Sequence, residues 1–185
     1  MPLIRVHRID HGFEDKKIWQ SSCVKNKKPR ELSARVVPYK LHDALKDLEA
    51  GSPHVYWVEG EQCADAMLAL GLPAVTSLGG SKGFHRERDA GHIPGDRLVI
   101  VPDKDKPGLS YAKQVAEAHP ECQWLLPFPD SPQWTEGLPD NHGRDIADWI
   151  NEGAGAAEIL AAIQKDPSQT KNNTKVQESP TPPDV

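Results

Sequence analysis

Long apolar runs are missing from this chain. No stretch of eighteen apolar residues occurs in its 185 residues, so no membrane-spanning helix is expected. The opening Met1-Pro2-Leu3-Ile4-Arg5-Val6 lacks the apolar segment that directs secretion, which makes the cytoplasm the expected location. Cysteine is scarce as well. Cys23, Cys63 and Cys122 are odd in number, far apart and without a Cys-x-x-Cys pair, which argues for reduced thiols and against a structural zinc site. The eight histidines show no ligand spacing. No Walker-type Gly-x-x-x-x-Gly-Lys stretch is present, so the chain is not itself a helicase motor. Nor is there a surplus of positive charge. The net charge is -5, so any contact with nucleic acid must come from local patches or from metal bridging to phosphates.

What is present divides into three parts. Residues 1–52 hold two candidate strands, Ile4-Arg5-Val6-His7-Arg8-Ile9 and Lys17-Ile18-Trp19-Gln20, a basic stretch from Lys25 to Arg30, and a helix from about Leu41 to Glu49. This part looks too short for a core of its own. Residues 53–165 alternate strand and helix in the βαβ manner that implies a parallel sheet. Strands are expected at 55–59, 73–76, 97–103 and 123–126, with helices over Ala64, Met67 and Leu68, over Leu109, Ala112, Val115 and Ala116, at Asp145–Ile150 and over Ala156, Ile159, Leu160 and Ile163. Residues 166–185 are Ser, Thr, Asn, Gln, Lys and Pro with almost no large apolar side chain, the composition of a disordered tail. The expected fold is therefore α/β, with a central, mainly parallel four-stranded sheet flanked by helices.

Acids close two of these strands. Val55-Tyr56-Trp57-Val58 runs into Glu59-Gly60-Glu61, and Leu98-Val99-Ile100-Val101-Pro102 runs into Asp103-Lys104-Asp105. In an open α/β sheet, ligands bind outside the carboxyl ends of strands. Residues two apart on extended chain face the same way, so Asp103 and Asp105 can share one cation. Hard cations such as Mg²⁺ are held by one or two carboxylates together with water and substrate phosphates. This is a layout for phosphoryl or nucleotidyl transfer.

Three stretches carry a family likeness: Trp57 to Ala66, Val99 to Gly108, and Arg144-Asp145-Ile146-Ala147-Asp148-Trp149-Ile150, preceded by Arg35-Val36-Val37-Pro38-Tyr39-Lys40-Leu41. Together they resemble the Toprim (Rossmann-like) domain, and within it the Toprim segment of phage and plasmid DNA primases of the primase-helicase type. The likeness spans about Arg35 to Lys165. It implies Mg²⁺- or Mn²⁺-dependent nucleotidyl transfer, with Glu59 in acid–base work and Asp103 and Asp105 as metal ligands. Asp145 and Asp148 resemble acids near the same metal cluster. The implied partners are single-stranded DNA, nucleoside triphosphates and a replicative helicase. A Toprim nuclease, or a non-catalytic module that binds metal or single-stranded DNA, are the other readings. The chain departs from close relatives at Gln62, where they often carry lysine, and at Lys104, where a small or uncharged residue is usual. Lys104 is expected to point away from the acid pair, toward nucleic acid or solvent.

Several residues admit plainer roles. Glu61 and Asp65 fit the first turns of a helix, where acids meet the positive end of its dipole. Asp145 and Asp148 have the spacing of a capping box as much as that of a metal pair. Ser77 to Gly83 is either a phosphate cradle or a simple turn. Lys82, Arg86 and Arg88 form a basic loop suited to a phosphate backbone or to plain solvation. Trp57, Trp124 and Trp149 are expected in the core, while Trp19 and Trp134 are the candidates for stacking on bases.

Overall fold

The computed structural model describes residues 4–10, 16–32 and 36–164. The expected tail, 166–185, and the segment around Arg35 lie outside the described residues. Among the described residues no helix is long and apolar enough to cross a membrane.

The chain opens with an antiparallel hairpin, β1 (Ile4–Asp10) and β2 (Lys16–Ser22), then a single helical turn, α1 (Pro29–Leu32). Helix α2 (Leu41–Glu49) leads into β3 (Val55–Trp57), α3 (Glu61–Ala69) and β4 (Ala74–Val75). A 3-10 turn (Gly80–Lys82) and α4 (Arg86–Asp89) connect to β5 (Leu98–Ile100). Then follow α5 (Lys106–Ala118), β6 (Gln123–Leu125), α6 (Gln133–Glu136), α7 (Ile146–Asn151), α8 (Ala156–Ala161) and β7 (Ile163–Gln164). The four expected strands are present, as β3 to β6, and pair in parallel. The sheet has a fifth member, in the order β4-β3-β5-β6-β7. Here the sequence reading is corrected: Ile163 ends no helix. It lies on β7, paired antiparallel through Leu125↔Ile163 and Trp124↔Gln164.

Alternation along the strands divides the core between two faces. Tyr56, Val58, Val99, Val101 and Leu125 pack against Ala64, Met67, Ile146, Trp149 and Ile159 from α3, α7 and α8. Val55, Trp57, Leu98, Ile100 and Trp124 pack on the other face against Leu41 and Ala44 of α2 and Tyr111, Ala112 and Val115 of α5. Each large apolar side chain buried this way contributes about 1.5–3 kcal/mol. Both faces are covered, which is why these strands read as unbroken apolar runs. Trp57, Trp124 and Trp149 are buried, as expected. Trp134 is half-buried against the second face and its indole N–H donates to the Pro127 carbonyl at 2.9 Å. The segment before α2 joins the sheet edge, where the Tyr39 N–H donates to the Thr76 carbonyl at 2.8 Å.

Candidate metal and active site

From β3 the chain crosses to β4 on one side, and it then places β5 on the other side of β3. The crevice where an α/β sheet binds ligands lies at such a reversal, beyond the carboxyl ends of the strands. Trp57 of β3 pairs with Ile100 of β5. Pairing runs on past the regular strands through Val101 N–H to the Trp57 carbonyl, 2.8 Å. Glu59 and Asp103 therefore leave the sheet side by side at that crevice. The Thr76 hydroxyl donates to the Glu59 carbonyl at 2.8 Å and fixes the backbone there.

Asp145 is brought to the same point by the loop before α7. Lys104 N–H donates to the Arg144 carbonyl at 2.8 Å and Lys106 N–H to the Pro139 carbonyl at 3.0 Å. Gly143 makes this approach possible, because a Cβ there would lie 2.4 Å from the Lys104 carbonyl carbon and oxygen. Gly108 does the same on the opposite side: its Cβ would stand 2.6 Å from the Asp103 oxygen and 2.7 Å from the Asp103 Cβ. Gly108→Ala should therefore cost about 1–3 kcal/mol, the range for overpacking a tight site, and displace Asp103. Chemical denaturation of the two proteins reads the first effect, and a weakened response to divalent cations reads the second.

One ligand atom from each of Asp103, Asp145 and Cys63 lies within 4.8 Å of the others. Burial first, then the neighbouring charges of Glu59, Asp145, Asp105 and Asp148, push the Asp103 carboxyl up to about 8. Four carboxylates crowding a fifth is an arrangement that a proton or a cation relieves. The donors are hard oxygens, which suit a hard divalent cation. Cys63, only 3% exposed, is pushed upward by burial and then by Asp145 and Asp103, so as a neutral thiol it is a poor ligand for such an ion. Its place beside the acids is set by the fold alone. It stands on α3, forty positions from Asp103, and no local pattern marks it.

The other expected residues divide by what already holds them. Asp105 is buried and caps α5, accepting from Gly108 N–H at 2.7 Å with one oxygen and from Gly143 N–H at 2.9 Å with the other. A short turn causes this, since the Asp105 N–H donates to the Asp103 carbonyl at 2.9 Å, so the two side chains do not simply repeat along an extended strand. Asp145 and Asp148 do form a capping box at α7, with bonds of 2.8 and 3.1 Å. For Asp145 the cap and the acid cluster coexist, while Asp148 is exposed. Lys104 is 5% exposed, and its ammonium donates to Ser131 Oγ at 3.1 Å beside the Phe128 ring. It points away from the acids but into protein, not into solvent. Burial and then Arg144 lower its pKa.

Of the basic loop, Lys82 and Arg86 are exposed. Arg88 is directed inward: its guanidinium donates to both oxygens of Asp89 at 2.5 and 2.6 Å and to the Gly83 carbonyl at 2.5 Å. The Ser77–Gly83 segment is a compact turn in which Gly79 and Gly80 take positive φ and Gly83 N–H donates to the Gly80 carbonyl at 2.8 Å. Tyr39 O–H donates to Asp65 at 3.0 Å, and burial together with that carboxylate pushes the phenol up to about 12.

No family model and no curated protein matches the chain. Solved structures do. One DnaG catalytic core aligns at a TM-score of 0.50 and 18% identity, over 83% of this chain and 46% of that one. The E. coli primase catalytic core aligns at 0.46 and 19% identity, over 79% and 42%. A DnaG primase catalytic domain bound to ssDNA aligns at 0.47 and 19% identity, over 80% and 45%. The chain thus spans less than half the length of each of these structures, and at such identities the likeness is one of fold. With its mostly parallel sheet flanked by helices, the chain shares its fold with part of a DnaG catalytic core.

Proposed function

We propose that this chain catalyses primase-like nucleotidyl transfer on nucleic acid, dependent on Mg²⁺ or Mn²⁺. The observation that carries the reading is the convergence of Glu59, Asp103 and Asp145 at the reversal of strand order, with the Asp103 carboxyl pushed up to about 8 by burial and then by its charged neighbours. Asp103 and Asp145 would hold the cation, and Asp105 and Asp148 add negative potential from their capping positions. A bound divalent cation orients phosphate oxygens and offsets the charge that grows on the attacking and leaving oxygens.

Glu59 stands on the adjoining strand end and is the group suited to accept the proton of an attacking hydroxyl. Thr76 holds the Glu59 main chain and so sets where that carboxylate can reach. The loop after β4 leaves the same end of the sheet, and its exposed Lys82 and Arg86 would contact a phosphate backbone. The substrates on this reading are single-stranded DNA and nucleoside triphosphates. The setting would be replication of a mobile element, with a helicase as partner.

The test is to incubate the protein with single-stranded DNA, ribonucleotides and Mg²⁺ or Mn²⁺, with an end-labelled strand run in parallel. New short oligonucleotides, lost in Glu59→Gln and Asp103→Asn, are the expected result. A shortened labelled strand with the same mutant dependence would mean that water replaces the hydroxyl and the site is a nuclease. Neither product, even with a cognate helicase present, would reject the enzyme and leave a binding module.

A further inference from the structure

Charge is spread very unevenly along this chain. Residues 1–30 hold eight Lys and Arg against three Asp and Glu, whereas the remainder holds 14 against 24. A surplus of five positive charges thus sits on one end of a chain whose net charge is -5. Asymmetry of this kind is the electrostatic footprint of a polyanion site. The described part of that region is a hairpin, and its register decides which residues share a face. Side chains alternate between two faces. Arg5, His7, Trp19 and Ser21 share the second, with His7 directly opposite Trp19 and Arg5 opposite Ser21.

On that second face the His7 and Trp19 rings stack, with centroids 4.8 Å apart and planes within 6°. A 2.7 Å hydrogen bond between His7 Nε2 and Ser21 Oγ holds the imidazole in place. Trp19 is nevertheless 38% exposed, and Arg5 is exposed beside it. Exposed Lys25, Lys27 and Lys28 continue the positive surface beyond β2. Flat aromatic surface beside cations matches unpaired bases on a phosphate backbone. It does not match a duplex, whose bases are already stacked on one another.

We infer that the β1–β2 hairpin is a binding platform for single-stranded nucleic acid, with Trp19, backed by His7, stacking on a base and Arg5, Lys25 and Lys28 contacting phosphates. The inference deepens the proposed function, since it adds a grip on the strand apart from the acid cluster. It also assigns the hairpin a role that does not require a core of its own.

The experiment is fluorescence anisotropy on the full chain, with labelled oligothymidylate, oligouridylate and a duplex of equal length. Trp19→Leu keeps the apolar bulk and should weaken single-strand binding about tenfold or more, the loss expected for one stacked base. Trp19→Phe should retain most of the affinity. Lys25→Ala with Lys28→Ala should weaken binding and reduce its salt dependence, since fewer counterions are released. Unchanged affinity in Trp19→Leu, or equal affinity for the duplex, would overturn the platform. Thermal melting with and without Mn²⁺ in the same variants confirms that the acid site is intact. Loss of binding in Trp19→Leu with no product from any protein would keep the platform and reject the proposed enzyme. Product lost in Asp103→Asn but normal binding in Trp19→Leu would do the reverse.

Discussion

Asp103→Asn is expected to make the cation-free protein more stable at pH 8 while removing its response to Mg²⁺ or Mn²⁺. The Asp103 carboxyl is raised from an ordinary 3.8 to about 8, first by burial and then by Glu59, Asp145, Asp105 and Asp148. Between those two values the folded protein keeps a proton that the unfolded chain has released. Stability contributed by this group is therefore complete below pH 4 and falls as pH rises toward 8, by at most about 1.4 kcal/mol per unit. Asparagine carries no charge at any pH and removes that decline. A cation must displace the same proton, so the stabilisation that Mn²⁺ gives the wild type should grow from pH 6 to pH 8. In the variant it should be absent, and product formation should drop at least about a hundredfold, because several kcal/mol of charge stabilisation goes with the cation. Melting curves at the two pH values, with and without cation, decide the matter. A variant that melts below the wild type at pH 8 would show that Asp103 is not held in this repulsive setting.

Arg88→Ala should be among the most damaging single changes outside the acid cluster. Asp89 is 0% exposed. It accepts from the Arg88 guanidinium at both oxygens and from the His85 N–H at 3.0 Å. Removing the arginine leaves a carboxylate buried without its cation, which costs about 3–5 kcal/mol, or roughly 10 °C in melting temperature for a chain of this size. Arg88→Lys should rescue little, because a single ammonium cannot reproduce the fork. Arg88→Ala combined with Asp89→Asn should recover part of the loss, since the two changes share one interaction. By contrast Lys82→Ala and Arg86→Ala, on exposed side chains, should stay within about 0.5 kcal/mol. If Arg88→Ala proved equally mild, the pair would have to be open to water. Weak nucleic-acid binding by an Arg88 variant should accordingly be read with its melting temperature beside it.

The adjacent opposite charges of Arg88 and Asp89 look in sequence like an ordinary solvated loop. Their burial depends on the tight turn at Gly83, where a Cβ would lie 2.1 Å from the Leu78 carbonyl oxygen. Lys104 gives the same lesson from the other side. Its place between two aspartates suggests a cation facing solvent or nucleic acid, yet the loop carrying Phe128 and Ser131 closes over it. Strand β7 has no signature of its own in the sequence, because Ala156, Ile159, Leu160 and Ile163 share a helical period. A two-residue strand is defined by its neighbour, here β6, rather than by its own composition.

Local pattern alone determined the layered α/β class, the four parallel strands and the acids at their ends. Apolar runs with turn residues at both limits state where a strand begins and stops, and a carboxylate just past a buried strand has few places to go but the rim of the sheet. Only the tertiary structure decided which acids meet. Asp103, Asp145 and Cys63 come from three separate elements, joined because Gly108 and Gly143 let backbones touch and because hydrogen bonds tie residues 104–106 to 139–144. Asp105, nearest to Asp103 in sequence, is instead drawn into capping α5. Sequence spacing reports direction along one segment. Which carboxylates share a field depends on how closely separate segments approach, and that distance is set by packing.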